Sequence, residues 1–311
     1  MNFKKLFAGV LCATLLLTGC AGNKEEAVDD KLAKDENAIR VMTFNMKQKD
    51  GISPEKQGEW VAQFKPDVVA TQEVDKDTQR SPYNVSEKFA KAGEFKNYFF
   101  SKQMPFQGGD YGLAMFSNYD VLEKEAVHIY SDEFLGDEAL REEQKKCFNE
   151  MDSADPQTSK NYDDFCAKLE KLGKYGVEPN IIQRIVIEKD GKKVSVYGVH
   201  LSYENVEIRE KQHKELLDML EKDENEYKVI MGDFNSDQGT YEMKDIAAEY
   251  NLANGKDGVW HDTYNWLDDD ACKVWSIDNI VTTKNIEITN VNYEITDLTD
   301  HYAMYADIIL K

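Results

Sequence analysis

Positive charge is scarce in this sequence. Lys and Arg number 38 against 59 Asp and Glu, a formal charge of −21 over 311 residues. That balance excludes a general nucleic-acid-coating protein, whose electrostatic footprint would be basic. It leaves room for an enzyme that handles phosphates through a bound cation. Long apolar runs are also missing: a mean hydropathy of −0.63 with 41% hydrophobic residues excludes a polytopic membrane protein. Cysteine is sparse, with five in all, and no CxxC or Cys/His spacing suggests zinc. No internal repeat is visible. Aromatics make up 11%, and apolar segments recur along the whole chain, which excludes a disordered protein. The length suits one large or two ordinary domains with a substantial core.

The first residues read as a targeting segment. Met1–Lys5 carries two lysines, and Leu6–Leu17 is apolar but too short to span a bilayer. The segment ends Leu17-Thr18-Gly19-Cys20, which resembles the lipobox of bacterial lipoproteins; the alternative is an ordinary secretory signal with an incidental cysteine. The resemblance implies removal of residues 1–19, a lipid anchor on Cys20, an extracytoplasmic, membrane-anchored location and a mature side-chain charge of −23, since Lys4 and Lys5 are lost. Residues 21–37 are polar and nearly free of bulky side chains, which predicts a flexible tether. Cys147 and Cys166 suit either a disulfide of an exported protein or two isolated small apolar residues.

From Ala38 to the C-terminus, strand-like and helix-like segments alternate in a single domain, 38–311. Strands are predicted at Ile39–Met46, Asp67–Val74, Tyr111–Ser117, Ile181–Glu188, Val194–Leu201, Tyr227–Gly232, Ile277–Thr282 and Tyr302–Leu310. Helices are predicted at Pro54–Phe64 and Val206–Lys222, the second from Arg209, His213, Leu216, Leu217 and Leu220 at helical spacing. Between about residues 130 and 180 the chain is charge-rich. Short helical patterns at Glu138–Met151 and Tyr162–Leu172, with Pro156 between them, predict a helical insertion packed beside the core rather than a long floppy loop.

Several polar residues stand where apolar strands end: Asn45 after Arg-Val-Met-Thr-Phe, Glu73 in Asp-Val-Val-Ala-Thr-Gln-Glu, and Asp233 and Asn235 in Gly-Asp-Phe-Asn. Asp278 interrupts the run Trp275–Val281, and Asp300-His301 precedes the last strand. In extended chain Glu73 would share a face with Val69 and Thr71, and Asp233 would point the same way as Asn235. Singly, each acid reads as a turn residue or cap, and His200 as a structural histidine. Together, Asn45, Glu73, Tyr111, His200, Asp233-x-Asn235, Asp278 and Asp300-His301 follow the order of the endonuclease/exonuclease/phosphatase superfamily, which the chain resembles from about Ile39 onward.

The resemblance implies an α/β sandwich of four layers: two β-sheets packed face to face, flanked by helices, with the site at one rim. It also implies Asn45, Glu73 and Asp300 around Mg²⁺ (Mn²⁺ as a substitute), consistent with hard oxygen ligands. Asp233, placed by Asn235, would take the proton from water. His301, oriented by Asp278, would contact the scissile phosphate, and His200 and Tyr111 would donate to phosphate oxygens. Arg184 aligns with an arginine near the site in many relatives, whereas Arg209 and Gln212 suit either the site or a structural ion pair. Two departures are Leu113, where relatives often carry Asn, and Thr299, where Ser is usual.

The expected protein is therefore a monomeric, Mg²⁺-dependent phosphoesterase anchored to the membrane. Its alternatives are a secreted deoxyribonuclease-type endonuclease and a non-catalytic surface-binding lipoprotein. The acidity favours a small or membrane-presented substrate over nucleic acid. The nuclease alternative would need a local basic patch, for which Arg80, Lys102 and Arg184 are the candidates.

Overall fold

The computed structural model describes residues 32–47, 51–152, 154–264 and 275–311. The expected signal segment, Cys20, most of the expected tether and Cys272 lie outside them. Two six-stranded mixed sheets form the centre. The first has the order β11 (Ile286–Glu294), β12 (Ala303–Leu310), β1 (Ile39–Asn45), β2 (Val68–Lys76), β4 (Gly109–Ser117), β3 (Asn97–Phe106). The second has the order β5 (Val121–Ile129), β6 (Asn180–Lys189), β7 (Lys192–His200), β8 (Tyr227–Asp233), β10 (Asp278–Thr282), β9 (Asn251–Leu252).

Each sheet contains one parallel pair, β1 with β2 and β7 with β8. A parallel pair needs a crossover, here a helix in both cases. Between β1 and β2 runs α1 (Pro54–Ala62), started by Ser53 accepting from the Lys56 amide with Pro54 in the first turn. Between β7 and β8 runs α5 (Val206–Lys222), capped by Asn205 accepting from the Ile208 amide. The outer face of the first sheet also carries α2 (Val85–Ala92), and α6 (Tyr241–Glu249) joins α5 on the second.

Apolar side chains from both sheets, among them Val41, Val68, Met115, Val196, Val229 and Ile280, fill the space between them. Met42, Phe44, Phe89 and Phe116 bury the outer face of the first sheet, and Val199, Leu216, Ile230 and Ile246 that of the second. The result is the expected four-layer sandwich. Both crossovers leave their parallel strands ending at one rim, so Asn45, Glu73, His200 and Asp233 come from neighbouring strands.

The insertion is a helical hairpin of α3 (Glu138–Glu150) and α4 (Pro156–Lys171). Pro156 opens the second helix behind the Asp155 cap rather than separating two distant ones. Leu135, Leu140, Phe165 and Leu169 give the hairpin its own small core. Gln212 ties both of its ends to α5, its amide donating to the Tyr130 carbonyl at 2.8 Å and to Asn180 at 2.9 Å. Cys147 and Cys166, on α3 and α4, are unbridged thiols.

One ion pair is fully enclosed. Arg40 is 0% exposed and grips Asp307 with two bonds of 2.7 and 2.8 Å, while donating to the Phe64 carbonyl at 2.9 Å. Removing one partner strands a charge in the core, which costs about 3–5 kcal/mol. Asp307→Ala should therefore lose roughly that much stability in urea unfolding, and the Arg40→Met/Asp307→Leu double variant should lose less. A loss below about 1 kcal/mol for Asp307→Ala would show that the pair is better solvated than its burial indicates.

Candidate active site

Glu73, Tyr111, His200, Asp233, Asn235 and His301 line a cleft of about 550 Å³, whereas Asn45, Asp278 and Asp300 are not among its lining residues. Backbone geometry departs from regular extension at the two positions where it matters most. Glu73 has φ +58° at a bulge between Thr71 and Val74 opposite β4, so it does not share the face of Val69 and Thr71. A bulge that re-aims one side chain is a common device beside an active site. Asn235 has φ +47°, so it is not paired with Asp233 through extended chain either. Gly232 is fixed by sterics: at φ +150° a Cβ would stand 2.0 Å from the Val199 carbonyl oxygen.

Asp233 is the hub of the cluster. It is 2% exposed, and its Oδ1 accepts from the Asn235 backbone amide at 2.9 Å. Asn235 thus places Asp233 through its main chain, while its side-chain amide donates to the Leu201 carbonyl at 2.8 Å. Asp233 Oδ2 accepts from Asn45 Nδ2 at 3.3 Å and lies 3.7 Å from His200 Nε2 and 3.8 Å from His301 Nε2. Burial and the Asp278 carboxylate push Asp233 up to about 6, against the pull of His301 and His200.

His301 follows a bend at Asp300, bridges Tyr264 just before β12 and is 4% exposed. Its Nδ1 meets Asp278 Oδ2 at 2.8 Å, and Asp278 faces Asp233 across the β8–β10 ladder. Burial disfavours the charged ring, but Asp278, Asp233 and Glu73 outweigh it and lift His301 to about 10. The shift favours the charged ring, which suits it to meet an anion. Thr299 serves where Ser is usual: its hydroxyl donates to the Asn45 carbonyl at 2.7 Å and accepts from the His301 amide at 3.3 Å.

Asn45 and Glu73 meet beside this hub, and Lys47 links Asn45 to Asp300, three residues that offer oxygen donors. Asn45 Nδ2 donates to Glu73 at 3.1 Å, and its Oδ1 accepts from the Lys47 amide. Asp300 Oδ1 is buried without a hydrogen-bond partner, and its Oδ2 is met by the Lys47 ammonium. A buried orphan carboxylate oxygen and a cation drawn to its twin are what a divalent-ion site built from hard donors would show. Ligand atoms of Asp233, Asp278 and His301 also lie within 4.8 Å of one another. There, however, Asp278 is already bonded to His301 Nδ1 at 2.8 Å. Asn45, Glu73 and Asp300 are the better fit.

Tyr111 and His200 line the cleft, as does Arg209. Arg209 is held by Glu242 at 3.1 Å and by the Ser202 carbonyl, so it is a structural ion pair. Arg184 lies outside the cleft lining: its guanidinium is committed to Asp223, Glu123 and Ser195. Sequence reasoning passed over Glu178, Tyr203, Tyr264 and Trp275, which also line the cleft. They come from segments with no periodic pattern, so no local signal marks them. Glu178 is raised well above the carboxylate range by burial and by Glu204 and Glu73.

The pattern of the Endonuclease/Exonuclease/phosphatase family matches residues 42–301. The chain belongs to this family. An endonuclease/exonuclease/phosphatase from Beutenbergia cavernae is 15% identical, with 88% of this chain and 72% of that one covered and a TM-score of 0.64. A mannosyl-6-phosphatase of Bacteroides thetaiotaomicron is also 15% identical, covering 88% and 100%, with a TM-score of 0.57. A humanized D. rerio TDP2 is 15% identical, covering 88% and 99%, with a TM-score of 0.56. Comparison with curated proteins finds no match. Membership of the endonuclease/exonuclease/phosphatase family makes the chain a metal-dependent hydrolase of phosphoester bonds.

His301→Ala should lower turnover by at least ~10²-fold, the scale of a positioned proton-transfer or charge-stabilising group. Asp278→Asn withdraws the charge that raises the ring, so the alkaline limb of its rate profile should move to lower pH. The double variant should be strongly non-additive. Additive losses with an unmoved limb would break the pair into two independent residues.

Proposed function

We propose that this chain is a Mg²⁺-dependent phosphoesterase held at the outer side of the cell membrane through a lipidated Cys20, acting on small or membrane-presented phosphoesters. The observation that carries the chemistry is the buried Asp278–His301–Asp233 array next to the Asn45, Glu73 and Asp300 donor set. Bound there, Mg²⁺ would neutralise phosphate charge and lower the pKa of water. Mn²⁺ would serve as a substitute, since both prefer oxygen donors.

The chain's own residues supply the rest. The His301 imidazolium lies 3.8 Å from Asp233 and would bind a phosphoryl oxygen, its tautomer and charge held by Asp278. Tyr111 and His200 would donate to the remaining oxygens. Asp233, with one oxygen fixed by the Asn235 amide, would take a proton from the attacking water with the other. Its raised pKa brings it closer to the operating range of a base.

The choice of substrate is supported by the fate of the three cations that could have formed a basic patch. Arg80 is bound twice by Asp75, at 2.7 and 3.0 Å, Lys102 pairs with Asp110 at 2.5 Å, and Arg184 pairs with Asp223 and Glu123. A domain this acidic repels a polyanion at long range. A tether of 17 residues reaches roughly 20–25 Å, enough for the cleft to approach its own membrane.

Two measurements test this. Purified protein should lose activity in EDTA and regain it with Mg²⁺ or Mn²⁺, with higher kcat/KM on small phosphodiesters or phospholipid vesicles than on plasmid DNA at physiological salt. Cleavage fastest on plasmid would make it a nuclease, and inactivity on every phosphoester would leave a binding protein. Separately, Cys20→Ser should release the chain from the membrane fraction; retention there in high salt would remove the lipid anchor.

A further inference from the structure

The insertion returns to the catalytic cleft at one residue. Gln144 of α3 donates to the Val177 carbonyl at 2.7 Å, and Val177 is fully buried, so the next residue is firmly placed. That residue, Glu178, lines the cleft alongside Glu73 and Tyr111. Its amide donates to Glu204 at 2.8 Å, and its Oε1 accepts from Gln103 Nε2 at 2.6 Å. Gln103 is itself 2% exposed. Both oxygens therefore sit on a rigid backing, one of them already occupied from behind.

Tyr111 stands on the same wall of the cleft. It is only 6% exposed, lines the same cleft, and its hydroxyl has no hydrogen-bond partner among the described residues. Phe106, Met104 and Phe148 of α3 pack around the ring, so the insertion also fixes its position. The Tyr111 hydroxyl opens toward the cleft, where the phosphate of a bound ester would meet it. Tyr203, from the loop after β7, adds a 67% exposed ring to the same cleft.

We infer that Glu178 and Tyr203, next to the phosphate-facing Tyr111, form a subsite for a hydroxyl-rich alcohol, such as a sugar or other polyol, esterified to the phosphate. This rests on the phosphoesterase reading and names its substrate class. The Glu178 carboxyl, one oxygen held from behind by Gln103, exchanges hydrogen bonds with hydroxyls of the polyol, and the Tyr203 ring covers its apolar face. Glu73 and Glu204 beside it repel a second anionic group, which disfavours a polyphosphate or nucleic-acid chain. A quaternary ammonium would need aromatic faces on several sides, and on this wall Tyr203 offers one open face.

The test compares inositol, choline and butanol esters, each as the phosphate monoester, followed by phosphate release, and as the p-nitrophenyl diester, followed by chromophore release. Wild type should favour inositol over butyl by at least ~10-fold in kcat/KM, since sites built to bond a hydroxyl reject analogues lacking it. Glu178→Leu should abolish that ratio mainly through KM, and Glu178→Gln, which keeps an acceptor in place, should retain part of it. A choline preference overturns the inference, as does an inositol preference that survives Glu178→Leu. An equal loss on all three esters in both variants makes Glu178 structural and overturns it too. Hydrolysis of butyl and inositol esters at equal rates defeats the subsite alone, whereas hydrolysis of none defeats the phosphoesterase reading with it.

Discussion

Repulsion among carboxylates is the constraint on which the rest of the molecule is arranged. Glu73, Asp233, Asp278 and Asp300 converge at one rim of the sandwich, and Asp233 and Asp278 are 2% and 1% exposed. Water cannot screen charges that deep, so they need protonation or a cation. The chain draws the His301 ring toward its charged form among them and brings the Lys47 ammonium to Asp300. A divalent ion completes the balance. Catalytic chemistry and electrostatic tolerance are thus one property: the charge that lets the acids coexist is also the charge that attracts phosphate.

The layered fold makes this convergence inexpensive in backbone terms. Two parallel pairs, each with its crossover helix, deliver four strand ends to the same rim from two facing sheets. Antiparallel β10 and β12 then begin there, bringing Asp278 and the Asp300-His301 bend from the opposite chain direction. The insertion adds specificity rather than catalysis. It packs against the β3–β4 hairpin, with the Gln107 amide donating to the Phe148 carbonyl at 3.0 Å, and reaches the cleft through Glu178.

All eight predicted strands are present because each is a compact apolar run with a buried face. Those that escaped notice lack that signature. β5 is an edge strand whose residues are mostly exposed, and β3 is interrupted by an irregularity between Lys102 and Met104. The identities of the rim acids were readable from motif order, but their geometry was not. Nothing in the residue type Glu announces φ +58° at Glu73, which the bulge opposite β4 imposes. Arg184 misled because alignment cannot see Asp223, 39 residues away, waiting to neutralise it. Glu178 was illegible for the opposite reason: it lies in an irregular segment and gains its meaning only from Gln103 and Tyr111.

The claim on which the account turns is that Asn45, Glu73 and Asp300 hold the divalent ion. Titration of the purified chain with Mn²⁺, followed by the loss of the free-ion EPR signal, measures this without reference to any substrate. The account predicts a tight site whose affinity falls at least ~10-fold in Asp300→Asn and in Glu73→Gln. In Asp278→Asn, by contrast, the affinity should change little. Binding that survives the first two substitutions and vanishes with the third would place the ion among Asp233, Asp278 and His301, and would contradict it.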